Sequence, residues 1–477
     1  MEFYEEWMKL DKYWFNSNKN LDEYLKSKYE YLLNEYNPNP IIQIIIYDQL
    51  TRHIYRNELS SHIIIYFNQN ALKIAEENKH LLPELSYNDW MFFLLVYRHT
   101  NIKEHLFFAM EEGWKRLPQS KKFLKATYNR ANFEEELEEY EFKKFDEKIL
   151  EYNPNEELTN LQDNFGDFEI LDDKEEIIIS LSGGVDSNSC LFYIKNKYPD
   201  KNIKALHINY NNREETKEEV NFLIYLCNKL KIRLYIRTIK EIKRKPSIEN
   251  DLRDVYESYT KKVRFNSYKK LNKNPLIILG HNRDDCFENI LTNISYQNKY
   301  DNLIGMEHSS IIDDIHFIRP LYKTSKEEIY KFAKIHKIPY LKNSTPKWSQ
   351  RGKIRNLVLP VLEEWDRRIV NGLFDISRTL KDLHINLKLN VINETYEEKK
   401  EMNMSLLFWK YLIFERFHFY PSNKSLKSLI ERLTIFKNKF QKIDMNKKEK
   451  IIIKNNLYMN IWKTKSLNIS YEFFINK

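Results

Sequence analysis

A chain of 477 residues is too long for one ordinary core, so two to four domains are expected, and 42% hydrophobic with 14% aromatic content supplies globular interiors. No run of 18 apolar residues offers a membrane span, Met1–Lys12 reads as neither signal nor transit peptide, and three cysteines (Cys190, Cys227, Cys286) without a CxxC pair exclude a disulfide framework and a zinc site. Net charge is +8, yet residues 1–175 hold about 21 Lys and Arg against about 34 Asp and Glu, while the remainder holds about 56 against about 35.

An acidic front joined to a basic back implies two modules with different partners, and an anionic substrate for the second. A reducing, cytoplasmic setting with no membrane contact is expected.

From the start, Glu2–Tyr13, Leu21–Asn37, Ile41–Arg56, Ser61–Asn78, Tyr87–Tyr97 and Asn101–Leu117 are apolar at helical spacing, with Asn, Pro and Ser at the breaks. Six helices in series predict an all-α domain over residues 1–150 built as an α-hairpin array. The charged stretch Asn132–Leu150 predicts a further helix, and residues 151–175, acidic and polar with Pro154 and Gly166, predict a linker. The rhythm then changes. Glu176–Leu181 is a short β-branched run without alternation, as in a buried parallel strand. Strands at Ile203–Tyr210, Arg233–Thr238 and Leu276–Gly280 alternate with helices at Asn188–Asn196, Lys217–Leu230 and Asn250–Leu271. That alternation predicts an α/β domain with a parallel sheet over residues 176–373, whose ligands bind beyond the carboxyl ends of the strands. Residues 374–477 predict a small, basic, mostly helical α+β domain. Helices are expected at Met404–His418 and Ser425–Asn438, and strand-like pieces at Lys450–Trp462 and Leu467–Phe474.

Ser182, Gly183, Gly184, Val185, Asp186 and Ser187 stand between the first of these strands and a helix. Adjacent glycines let backbone N–H groups approach a phosphate, with a helix N-terminus behind them. The two serines add hydroxyl donors, and Asp186 is a candidate magnesium ligand. The turn lacks the GK[ST] ending that serves transfer of a terminal phosphoryl group.

SGGVDS resembles the signature of the PP-loop, or N-type, ATP pyrophosphatases, which implies an adenine nucleotide alpha hydrolase-like fold. It also implies cleavage of ATP between its α- and β-phosphates with Mg2+, leaving an adenylated substrate. Leu279–Asn293 (LGHNRDDCFENILTN) is similar to the H-x-x-D-D-x-x-E-T element of the tRNA-modifying branch, which includes tRNA(Ile)-lysidine synthetase and the tRNA thiolases, with Asn289 in place of Thr. His281, Asp285 and Glu288 would then bind an ammonium group and accept its proton. Phe317–Thr324 (FIRPLYKT) and Asn343–Pro360 resemble the synthetase's later segments, placing Arg319, Arg351, Lys353 and Arg355 near phosphates of ATP or RNA. In the KKVRFNSY stretch Arg264 matches an arginine of the synthetase's motif and is a candidate for the α-phosphate or the base. His207 matches the first His of its H-x-D-H-x-x-R element, although Asn209 and Tyr210 replace the next two, and Arg213 keeps the last. The WK…PSNKS pattern in Trp409–Lys427 is similar to the synthetase's substrate-binding C-terminal region.

What the resemblance implies is a ligase. ATP adenylates the wobble cytidine of a tRNA(Ile), and free lysine then displaces AMP. Two alternatives stay open: a tRNA thiolase working through Cys286 or a bound persulfide, and a degenerate binding protein that keeps the fold without catalysis. In the front, Asp48, Gln49, Arg52, Tyr55 and Arg56, with Trp14-Phe15 and His99, resemble a bacterial all-helical family of unknown function related in fold to tetratricopeptide repeats. A buried Asp48–Arg52 or Asp48–Arg56 network serves structure there, and a protein- or RNA-docking platform is the role expected of the module, its acidity disfavouring direct RNA contact.

Overall fold

The computed structural model describes the chain except for Met1, Ser17, 57–60, 139–164, 213–215, 296–305, 342–349, 367, 378, 381–382, 384–405, 445–446, 455–456, 464–468 and 476–477. It divides into two compact units. One comprises Met1–Arg283 with Glu307–Ser344, the other Asp284–Met306 with Thr345–Lys477.

The first unit opens with helices α1 (Glu2–Lys9), α2 (Lys19–Tyr29), α3 (Pro40–Ile44), α4 (Thr51–Ile54), α5 (Ser61–Glu77), α6 (Tyr87–Thr100), α7 (Lys103–Lys115) and α8 (Lys121–Arg130). A π-helical turn, Ile45–Leu50, joins α3 to α4, so the expected helix Ile41–Arg56 is one rod with a local widening. Asn18, Asn39 and Ser86 cap α2, α3 and α6, which is why the sequence breaks fall where they do. The helix α8 was not legible in the apolar spacing, because KKFLKATYNR buries only Phe123, Leu124, Thr127 and Tyr128.

The expected helix Asn132–Leu150 needs correction over its described part. Residues 132–137 form no helix, with Glu135 buried between exposed Glu134 and Glu136, and Glu138 forms an antiparallel bridge with Ile236. An unpaired strand edge offers backbone partners that outweigh the weak helical preference of EEELEE. The remainder, 139–150, lies outside the described residues, as does 151–164 of the expected linker. Its end is no linker: Phe165, Phe168 and Leu171 are buried in the sheet's core.

The central sheet has strands β1 (Glu176–Ser180), β2 (Asn202–Asn209), β3 (Arg233–Thr238), β4 (Leu276–Ile278), β5 (Ser309–Ile312) and β6 (Ile315–Ile318), in the order β3-β2-β1-β4-β6-β5. All neighbours pair in parallel except the hairpin β5–β6. Ile177 and Ile179 enter one core and Ile178 the opposite one, so β1 is buried on both faces. Helices α9 (Val185–Lys197), α10 (Thr216–Lys229), α11 (Arg244–Glu249), α12 (Arg253–Leu271) and α14 (Lys326–Ile335) belong to the same unit. One core also takes Leu106, Met110, Leu124 and Tyr128 from α7 and α8. The helical front and the sheet therefore share an interior. Buried Arg237 ties them further, bonding Glu135 and Glu241 at 2.6 Å each.

The second unit holds most of helix α13 (Arg283–Ser295), helices at Gln350–Lys353 and Leu359–Trp365, and a C-terminal core. That core packs helices Leu406–Phe417 and Asn423–Lys439 with an antiparallel sheet, β7 (Glu449–Lys454), β8 (Leu457–Lys463) and β9 (Ile469–Ile475). The expected strand-like piece Lys450–Trp462 is two strands.

Candidate active site

The strand order reverses between β1 and β4, and a crevice at such a switch point is where α/β sheets bind ligands. Ser182–Ser187 follows β1, and Gly280–His281–Asn282 follows β4. At Gly280 the approach is close: a Cβ there would stand 2.9 Å from the Ser187 nitrogen and 3.1 Å from the Asp186 carbonyl carbon. Gly183 has φ +81°, and a Cβ there would meet Leu341 Cδ1 at 2.5 Å. Only glycine fits either position.

The turn is braced by its own polar groups. The Ser182 and Ser187 hydroxyls lie 3.0 Å apart, and Ser187 also donates to the Gly184 carbonyl at 3.1 Å. The Asn188 amide donates to the carbonyls of Gly183 (3.2 Å) and Pro339 (2.8 Å), and the Leu341 N–H donates to Gly183 (2.9 Å). Gly184 is the N-cap of α9 and makes no side-chain cap, so the helix's first N–H groups and positive dipole end are presented with the two hydroxyls. This suits a phosphate chain.

Asp186, in the first turn of α9, is gripped by Lys326, whose Nζ lies 2.7 and 2.6 Å from its two oxygens, and by the Asn282 amide at 3.0 Å. Lys326 opens α14, which is started by a Ser325–Glu328 capping box. Neither pairing can be read from local spacing, since the two contacts span 140 and 96 residues. Among the described residues no group of three His, Cys, Asp or Glu could enclose a metal. Asp186, with both oxygens engaged by Lys326, is the one carboxylate of the Ser182–Ser187 turn, and magnesium takes one or two carboxylates and fills its shell with phosphate oxygens and water.

His207, on β2, donates from Nδ1 to the Leu181 carbonyl at 2.8 Å, and burial lowers its pKa despite that bond. It is a neutral brace behind the turn. Arg319 sends its guanidinium to the Glu307 carbonyl (3.0 Å) and the Ser310 hydroxyl (2.9 Å), which secures the β5–β6 hairpin. Arg264 lies one turn before Tyr268, whose hydroxyl bonds Ser180 at 2.8 Å. His281 lies three residues beyond the end of β4; Arg213 lies outside the described residues.

In the second unit Asp285 and Glu288 are buried on one face of α13. Arg351 bonds Glu288 at 2.8 Å and also pairs with Asp285, while Arg355 reaches Glu288 at 2.7 Å and Asp285 at 3.5 Å. Arg351 and Arg355, expected near phosphates, thus meet carboxylates here. Burial works to lower the pKa of Arg351, and Asp285 and Glu288 outweigh it and raise it. All three cysteines are free and buried, and burial pushes the Cys227 thiol up to about 12.

Residues 151–362 match the family profile described as PP-loop domain. The chain carries a PP-loop domain. Its PP-loop region is similar to curated proteins named tRNA(Ile)-lysidine synthase. One from Staphylococcus aureus is 26% identical over 211 residues, covering 43% of this chain and 48% of that protein. One from Mesomycoplasma hyopneumoniae is 32% identical over 189 residues, covering 39% and 60%. The chain spans about half the length of the first of these curated relatives. A solved U34-tRNA thiolase from Methanococcus maripaludis overlaps 45% of this chain and 75% of its own, at 18% identity and a TM-score of 0.37. No described helix is long and apolar enough to cross a membrane.

Proposed function

We propose that this protein is an ATP-dependent ligase that modifies a tRNA base, joining lysine to the wobble cytidine of a tRNA(Ile). The observation that carries the reading is the Ser182–Ser187 turn at the sheet's switch point, in a PP-loop region similar to curated lysidine synthases.

ATP is the first substrate. Its phosphates rest on the N–H groups of Gly183, Gly184 and the start of α9, with the Ser182 and Ser187 hydroxyls as further donors. Cytidine O2 attacks the α-phosphorus and pyrophosphate leaves. The lysine amine then attacks C2, AMP leaves, and the nitrogen gives up a proton, for which His281 is the candidate acceptor. Magnesium, held by Asp186, would offset charge on the departing pyrophosphate. Lys326 shares that carboxylate and supplies a fixed positive charge beside the same turn. Asp285 and Glu288 hold the ammonium group of lysine. An ionised carboxylate has about four lone-pair sites, so the pair can accept an ammonium as well as Arg351 and Arg355. Arg264 is assigned to the α-phosphate or the base, and Arg319 and His207 to support of the site. The basic back half grips the tRNA.

The test is tRNA-dependent exchange of labelled pyrophosphate into ATP. The reading requires exchange that needs tRNA(Ile) and falls at least 100-fold in Asp186→Ala. Exchange independent of tRNA would sink it.

A further inference from the structure

The helical front holds a charged cluster that the ligase reading does not use. Asp48 is fully buried in the Ile45–Leu50 turn. It accepts from Arg52 Nε at 3.0 Å, Asn68 Nδ2 at 2.9 Å, Gln49 Nε2 at 2.5 Å and His99 Nδ1 at 2.8 Å. Arg56 turns elsewhere, to Asp22 at 3.6 Å, so of the two networks expected from sequence the Asp48–Arg52 pair is the one formed.

Burial alone would raise the pKa of Asp48, but His99 and Arg52 hold it well below the usual range, so it carries a full negative charge. Burial pushes the pKa of His99 down against the pull of Asp48. Two more guanidiniums act on the same carboxylate. Arg98 precedes His99 on α6, and Arg130 closes α8. Burial, helped by the charges of Arg130 and Arg52, pushes Arg98 down to about 10; Arg130 is lowered by burial and by Arg52. The Arg98 guanidinium lies 5.4 Å from the Phe123 ring centre, and its Nε is buried with no hydrogen-bond partner among the described residues. Arg130 donates from Nε to Asn101 at 3.1 Å.

Three guanidiniums therefore lie in the field of one carboxylate, which of the three Arg52 alone bonds among the described residues, and Asp48 already serves four donors. Guanidinium does not shed its proton in proteins, and a buried donor without an acceptor is costly. Two positive charges remain for something else to balance. Planar donor forks match tetrahedral oxyanions, and two excess charges match a dianion. This sits within a front half that is acidic overall, so it is a local arrangement and not a general basic surface. We propose that Arg52, Arg98 and Arg130 form a binding site for a phosphate group, either the free ion or a small phosphomonoester, separate from the PP-loop turn.

The test is calorimetric titration of the full chain with inorganic phosphate and with glycerol 3-phosphate. A Ser182→Ala/Ser187→Ala variant removes the contribution of the PP-loop turn, and circular dichroism checks folding. Binding should persist in that double variant and weaken at least tenfold in Arg98→Gln. Arg130→Gln, a change at an exposed helix end, should do the same if Arg98→Gln fails to fold. Equal affinity for both probes would assign the free ion, and tighter binding of the ester would assign a phosphomonoester. The proposal is overturned if neither probe binds the Ser182→Ala/Ser187→Ala variant, or if folded Arg98→Gln and Arg130→Gln bind as the parent does.

Discussion

Gly280 is where the closeness of β4 to the Ser182–Ser187 turn is decided. Its missing side chain leaves room for the backbone of Ser187 and Asp186, neither of which can rotate away as a flexible side chain would. Gly280→Ala should destabilise the protein by about 1–3 kcal/mol through overpacking, and should weaken ATP-dependent exchange as well. Gly372→Ala is the control, since a Cβ there meets nothing within 4 Å. Denaturant midpoints of the two variants make the comparison. His207 carries a prediction about pH. Its pKa is lowered on folding, so the unfolded chain binds a proton that the folded chain refuses. The stability involved is complete above about 6.5, the ordinary histidine value, and falls as pH drops from there toward the folded pKa. His99 and His316 shift the same way, so His207→Gln should make the loss of stability between about pH 7.5 and pH 5.5 shallower without abolishing it.

At the scale of elements, β1 and its turn were legible because EIIISLSGGVDS combines a doubly buried strand with local glycine chemistry. The alternation of strands and helices up to Leu276–Gly280 was legible for the same reason. The antiparallel β5–β6 hairpin and the Glu138–Ile236 bridge were not. Each depends on a strand edge that exists only once the sheet has formed, and EEELEE by itself looks helical. The pairing of Asp186 with Lys326, and of Asp285 and Glu288 with two arginines, is likewise tertiary: Arg351 and Arg355 were visible as candidates, but not as partners of these carboxylates, and Lys326 was not visible at all. Arg237 tests the join between the helical front and the sheet. Its removal leaves Glu135 and Glu241 buried beside each other, so Arg237→Met should cost about 3–5 kcal/mol, read from chemical denaturation. Adding Glu135→Gln should restore part of that loss. Because α7 and α8 share a core with the strands, front and sheet should unfold in one transition.

For the whole molecule the decisive feature is the split of charge, about −13 over residues 1–175 and about +21 over the rest. An RNA held by the basic part releases counterions on binding. With about four phosphates neutralised, log K should fall against log salt with a slope of about −3. Filter binding between low and physiological salt would show it, and a flat response would exclude phosphate contacts as the source of affinity. Joining of lysine to the base is read most directly from the product. Bulk tRNA should be incubated with the protein, ATP, magnesium and isotope-labelled lysine, then digested to nucleosides for mass spectrometry. A labelled lysidine peak that disappears in Asp186→Ala is the predicted result. Consumption of ATP with tRNA but without that peak would contradict the assignment of lysine.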